Sequence, residues 1–218
     1  MGAKTSKAVA PAYDVVGLTP RTDKLEVFGS TYCFPVAKKW IVTKRTVNVL
    51  SITRSFSIDM MMRDADDPTG GVVLHLDGVQ MLWDGDGEPL AALVGNSGAN
   101  TFDVRNVRTN DYELRVHRVL VHGKHTTFAK FVHHATGKLY TLGYTGDWQA
   151  RHHISVWVAG NEQGDERSTV ARVSPLSPVG RNMSYALEVA AGVDAALVLV
   201  LCYVLDHTVA QSDGVETR

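Results

Sequence analysis

"GVDAALVLVLCYVLDHT", residues 192–208, is the most hydrophobic stretch of the chain. Its reading decides the fold. From Ala195 to Leu205 every residue is apolar or tyrosine, a run of eleven closed by Asp194 and Asp206. A bilayer span needs about twenty such residues, so a membrane anchor is the weaker reading. Eleven apolar residues are many for a strand, and Leu, Ala and Val without a turn residue suit a helix. Gly192 and Asp194 supply its start, with Asp194 as N-cap or first-turn carboxylate. Val198, Leu201 and Leu205 share one face, while Ala195, Leu199 and Cys202 share another. A helix apolar on every side has to be buried on every side. The spacing predicts a core helix over 192–208.

What could enclose it is written upstream. From Leu25 onward the chain reads as short strands between turn residues. "LEVFG" (25–29) and "KWIVTKR" (39–45) are followed by "FSIDMMM" (56–62), "GVVLHLDG" (71–78) and "QMLWDGDGEPLAALVG" (80–95). Then come "TFDVRN" (101–106), "YELRVHRVLVHG" (112–123), "TFAKFVHH" (127–134) and "KLYTLGY" (138–144). "ISVWV" (154–158), "STVARV" (168–173) and "MSYALEV" (183–189) complete the series. Met183, Tyr185, Leu187 and Val189 share one face, with Ser184 and Glu188 on the other, and Ile154, Val156 and Val158 likewise share a face. In the 112–123 segment Tyr112, Leu114 and Val116 alternate, and then Val119 and Val121 take over. That slip predicts a bulge or corner, of the kind that lets a sheet curve shut. "GNEQGDERS" (160–168) reads as a surface loop. Roughly a dozen strands at this spacing fit a sandwich or barrel, and the inside of a barrel is where a wholly apolar helix is buried all round.

The 218 residues divide into a tail over 1–23, one domain over 24–210 and a short tail over 211–218. Two cysteines, Cys33 and Cys202, do not suggest a secreted disulfide scaffold, and a reduced cytoplasmic setting is expected. No apolar signal segment opens the chain. "MGAKTS" fits the N-myristoylation pattern, with Gly2 as acceptor and Ser6 at the preferred position; the plainer reading is a polar, disordered terminus. One acyl chain gives only marginal membrane binding, so a second contact is required.

Three stretches, taken in order, resemble the LURP-one-related family, which groups with tubby C-terminal domains and phospholipid scramblases. They are "FSIDMMMRDADDPTGGVVLHLDG", "MLWDGDGEPLAAL" and "MSYALEVAAGVDAALVLVLCYVLD". The family's Leu-x-Asp-x-x-Gly-x-x-Leu turn is Leu82, Asp84, Gly87 and Leu90 here. Its final strand and helix entry are Tyr185, Val189, Gly192, Val193 and Asp194. The resemblance implies a mainly β fold, a closed tubby-like β-barrel of about twelve strands around a central hydrophobic C-terminal α-helix. The chain departs from the scramblase branch: it has no proline-rich N-terminal region, and "EVAAGVDAAL" stands where that branch has an acidic Ca-binding loop.

The chemistry is sparse. His133–His134 and His152–His153 sit as neighbours on strands and point to opposite faces, so neither pair chelates one metal; with His122 and His125 they read as surface histidines. "DGDGEP" fails as an EF-hand loop, since counting from Asp84 puts Pro89 at the glycine position and Gly95 at the glutamate position. It reads as a hairpin turn. No nucleophile motif or phosphate-binding loop is present, so no catalytic residue, metal or cofactor is expected. The near-neutral net charge of −1 gives no reason to expect nucleic acid as a partner. That total conceals a layout. Between Val27 and Ile58 lie Lys38, Lys39, Lys44, Arg45 and Arg54 with no acid, and from Asp59 to Glu88 come eight acids against Arg63 alone. Two solvated faces attracting each other across adjacent strands is the plain account. The functional account makes those five cations candidates for an anionic lipid headgroup, phosphoinositide binding being a property of the tubby branch. Trp40 beside them reads as a core residue, or as an interfacial anchor. Two functions follow. One is a non-enzymatic module binding anionic phospholipid or a protein partner, peripheral at the inner face of the plasma membrane. The other is a lipid-translocating protein that uses the C-terminal helix as a span.

Overall fold

The apolar run folds as helix α1, Ala195–Asp213, and no residue from Ala195 to Asp206 exposes more than 2% of its surface. The computed structural model describes residues 17–48, 56–96, 100–121, 124–148, 152–160, 166–176 and 183–213. Twelve strands among those residues enclose the helix. They are β1 (Lys38–Asn48), β2 (Phe56–Asp64), β3 (Leu74–Leu76) and β4 (Met81–Asp84). β5 (Pro89–Asn96), β6 (Thr101–Asn106), β7 (Tyr112–Val121) and β8 (Lys124–Val132) follow. β9 (Leu139–Asp147), β10 (His152–Gly160), β11 (Ser168–Pro175) and β12 (Met183–Val189) close the series. Each strand pairs antiparallel with its chain neighbour, and β12 returns to pair with β1, so the barrel is a closed meander. Closure removes the exposed edges that an open sheet must protect.

Inward positions follow the strand period of two. Trp40 and Val42, then Ile58, Met60 and Met62, then Leu74 and Leu76 are buried against the helix. Trp40 is therefore a core residue. The acidic residues between strands have turn work. Asp84 Oδ1 accepts the N–H groups of Asp86 and Glu88, and Asp77 accepts those of Val79 and Met81 as well as the Trp83 indole N–H. The "DGDGEP" stretch is a hairpin turn, with Gly87 at φ 83°.

Three expectations need correction. "LEVFG" is not a strand: Leu25 makes one parallel bridge to Val193, and its segment crosses the barrel end as a strap. The strand count is kept because the expected hairpin turn at Asp84–Gly87 divides "QMLWDGDGEPLAALVG" into β4 and β5. The phase slip after His117 is absent, because β7 pairs with β8 in unbroken register from Leu114 to Val121. Arg118 instead continues the inward series of Leu114 and Val116 near the barrel mouth, where a cation can be solvated. The bulge lies earlier, at Glu113: Val104 pairs with Leu114 but Arg105 with Tyr112. The extra residue turns Tyr112 outward, to 53% exposure, and buries Glu113 between Asn106 and His134. His133, finally, is no surface histidine. It is 3% exposed, and its Nε2 donates to the Lys24 carbonyl while Nδ1 meets the Thr136 hydroxyl.

Strand direction sorts the loops into two ends. The helix starts at one and leaves through the other. The expected tail over 1–23 reaches the first of these: Thr19 N–H donates to the Thr169 carbonyl and Arg21 N–H to that of Ala191. The packed unit thus begins by residue 19, because backbone partners wait there. The helix likewise outruns the expected boundary at 210. Gly2 and most of both tails lie outside the described residues, as do 161–165 of the expected surface loop.

Candidate functional site

Function on this scaffold has to be sought at the ends or on the outer wall, because the helix fills the interior. The end where the helix starts is sealed. Asp194 is fully buried, and its Oδ1 accepts the N–H groups of Ala196 (2.9 Å) and Leu197 (3.3 Å), an N-cap. Its Oδ2 accepts those of Val27 (3.0 Å) and Phe28 (2.7 Å), in the strap. Burial pushes the Asp194 carboxyl up to about 6, against the downward pull of those four donors. Leu25 N–H donates to the Gly192 carbonyl, and Gly192 N–H to that of Phe34. Gly192 has φ 73°, and a β-carbon there would collide with the Arg21 carbonyl oxygen. Only glycine serves at that crossing.

The exit end is built differently. Lys44 extends the inward series of Trp40 and Val42, and its Nζ lies 3.2 Å from Asp206 Oδ1 on the last buried turn of the helix. The Trp148 indole N–H donates to the same oxygen at 3.2 Å. Lys44→Met is expected to cost about 2 kcal/mol, at or below the usual range for breaking a buried pair because the mouth is partly solvated. Adding Asp206→Leu should restore most of it. Urea titration of the two variants measures both steps, and an unchanged midpoint in Lys44→Met would show that the pair carries no net stability.

Beside this pair, on another side of the helix, opens a cleft of about 520 Å³. Arg118 and His207 line it, with Gln80, Asn96, Asn100 and Thr101 around them and the Phe102 ring in the wall. Arg118 is carried by a strand, its N–H donating to the Asn100 carbonyl at 2.9 Å. His207 stacks on Tyr203 and meets Phe102 edge-on, with ring centroids 5.4 Å apart. Burial holds the His207 pKa below the ordinary imidazole value, so the ring is neutral near pH 7. Nothing in the linear sequence marked these residues. The signal was present in Arg118, a cation in inward register, but it reads equally as a slip in phase.

The five candidate cations do not form one surface. Lys38 lies 2.7 Å from Asp64 Oδ2 and sits over the Phe34 and Trp40 rings, at 4.9 and 4.6 Å from their centroids. That hydrogen bond holds the Asp64 carboxyl below its usual range. Lys44 is spent on Asp206. Lys39 and Arg45 point outward and are exposed, Lys39 opposite Glu188 near the sealed end and Arg45 opposite Asp59 toward the exit end. Six residues of strand put them about 20 Å apart. Arg54 lies outside the described residues, as does His122. A shallower groove of about 380 Å³ crosses the outer wall at β7 and β8, between Tyr112, Val132, Leu139 and His134. No group of three or more metal-ligating side chains occurs among the described residues.

No family model matches the chain, and no curated protein does. Among solved structures it is similar to the X-ray structure of an Arabidopsis thaliana protein, AT5G01750. The TM-score is 0.54 at 18% identity, over 84% of this chain and 98% of that one. At that identity the likeness speaks to the fold. Together with the closed barrel of twelve strands, it fits a tubby-like fold.

Proposed function

We propose that this chain is a non-enzymatic, tubby-like binding module, similar to LURP-one-related proteins, that tethers to the cytosolic face of a membrane through its exit end. The observation that carries this reading is the asymmetry of the barrel. One end is sealed by the strap on Asp194, while the other presents a cleft with an arginine in its wall and, on a separate side, the exposed Arg45 on the outer face of β1. An anionic lipid surface is the partner such a cationic rim suits, since each Lys or Arg near it adds about 1 kcal/mol. Acylated Gly2 would supply the second anchoring signal. The same geometry favours binding over lipid translocation by the helix. No helix among the described residues is long and apolar enough to cross a membrane, and α1 is packed into its own barrel.

Flotation with vesicles of phosphatidylcholine, with and without phosphatidylserine, tests the reading. Binding should need the anionic lipid and weaken with added salt. Arg45→Gln should lower it about fivefold, and Lys39→Gln, near the sealed end, should leave it unchanged. Equal losses in the two variants, or no anionic preference, would overturn docking through the exit end and point to a protein partner.

A further inference from the structure

The outer wall carries a second feature, on the half of the barrel nearest the sealed end. We propose that the groove across β7 and β8 docks an extended segment of a protein partner, one with a large apolar side chain two residues from an aspartate or glutamate. This site is independent of membrane docking, which uses the other end. The groove, of about 380 Å³, exists because of the bulge at Glu113. A bulge re-aims the side chains around it. Here it draws Glu113 beneath the surface, against Asn106 and His134, and leaves Tyr112 standing as one bank. The Arg105 and Arg115 guanidiniums lie over the Tyr112 ring, 4.1 and 5.7 Å from its centroid, and hold it in place.

Apolar exposure is ordinary one residue at a time, but here it is grouped. Val132 and Leu139 are Cα partners on β8 and β9, 48% and 42% exposed, and they line the groove together with Tyr112. The charges beside them select the occupant. Lys130, two residues back along β8, stands opposite Arg115, a like-charged pair that costs the sheet stability. Asp103 answers Arg115, but Lys130 has no ion-pair partner among the described residues. A partner carboxylate would supply the missing counter-charge. One unanswered cation suits one carboxylate, and gives a nucleic acid or an anionic bilayer too little to hold. The spacing sets the pattern. Val132 and Lys130 share the outer face about 7 Å apart, which is also the same-face repeat of an extended partner. The closed barrel offers no edge for an added strand, so recognition has to run through side chains.

The full chain, screened against an array of short peptides varied at every position, tests this. Selected peptides should share a Leu, Ile or Phe with an Asp or Glu two positions away. The best of them, titrated into the protein, should move the Val132 and Leu139 methyl resonances. Lys130→Glu should weaken that peptide about fivefold and prefer a version with lysine in place of its acid. Val132→Ser should weaken it about tenfold, while Val79→Ser, at an exposed turn of the exit end, should leave it unchanged. Lys130 and Val132 are both exposed, so neither change threatens the barrel. Selection without an acid at that spacing, methyl resonances that stay put, or undiminished affinity in Lys130→Glu would each overturn the assignment. So would dimerisation of the chain that is lost in Val132→Ser, which would give the groove to a second copy. Flotation lost in Lys130→Glu would give it to lipid, and would overturn the assignment as well.

Discussion

Leu201→Lys is expected to give no folded barrel. Leu201 is 1% exposed at the middle of the buried helix, with strands around it on every side. The acids of the helix that could answer a lysine are Asp206, five residues on, and Asp194, seven residues back. At about 1.5 Å per residue they lie roughly 7 and 10 Å away along the axis, and both are already engaged. An unpaired ammonium there costs more than the 5–15 kcal/mol that holds a typical domain together. Leu201→Ala is the milder probe. It should leave a cavity and cost about 2–5 kcal/mol, measurable by urea titration. Removing everything after Val189 should leave an insoluble or molten product, since the inward side chains of twelve strands would lose the surface they pack on. Cys202, fully buried, reports the same arrangement without mutation. In protein purified without detergent it should react slowly with a thiol reagent, and quickly only after denaturation. Fast labelling, or a protein that cannot be purified without detergent, would mean that the helix does not live inside the barrel.

The parts of this structure legible in the sequence are those written locally. A run that is apolar on every side, too short for a bilayer and too long for a strand, left burial inside a sheet as the answer. Strict alternation placed Ile154, Val156 and Val158, and Tyr185, Leu187 and Val189, on the inner face. Charge blocks suggested mutual attraction, and Lys38 with Asp64 is one such pair across neighbouring strands. What was not legible depends on closure. Lys44 and Asp206 are 162 residues apart in the chain, and Asp194 and Val27 are 167 apart. No local pattern announces either contact. Closure also changes what an inward position means. In the belt of the barrel it demands an apolar side chain, but at the mouth it accepts Arg118, so the same register looked like a lost phase. His133 was misread for a related reason. A histidine beside a turn looks solvated until a strap from the far end of the sequence lies over it.

Asp194→Ala should cost about 4 kcal/mol, and the loss should depend on pH in a direction opposite to that of an ordinary carboxylate. The residue caps the helix, which is worth about 1 kcal/mol, and it also satisfies the strap N–H groups of Val27 and Phe28. Once the carboxylate is gone, those buried donors face a cavity, at about 1–3 kcal/mol each. The sign of the pH effect follows from the carboxyl being pushed up to about 6 in the folded chain, from 3.8 when solvated. Between these values the native state binds more protons than the unfolded one, so stability falls as pH rises. The contribution is complete below about pH 4 and is lost as pH rises through 6, an effect of about 3 kcal/mol. Asp194→Ala should therefore hurt most in mild acid and least above pH 7, and the variant should lack the wild-type decline across that window. Hydrogen exchange would locate the damage. The amides of residues 19–34 and the buried Cys33 thiol should open together, while the strands near the exit end keep their protection. If the strap stays protected in the variant, Asp194 is only a helix cap, and the seal must rest on the backbone bonds of Leu25, Gly192 and Phe34.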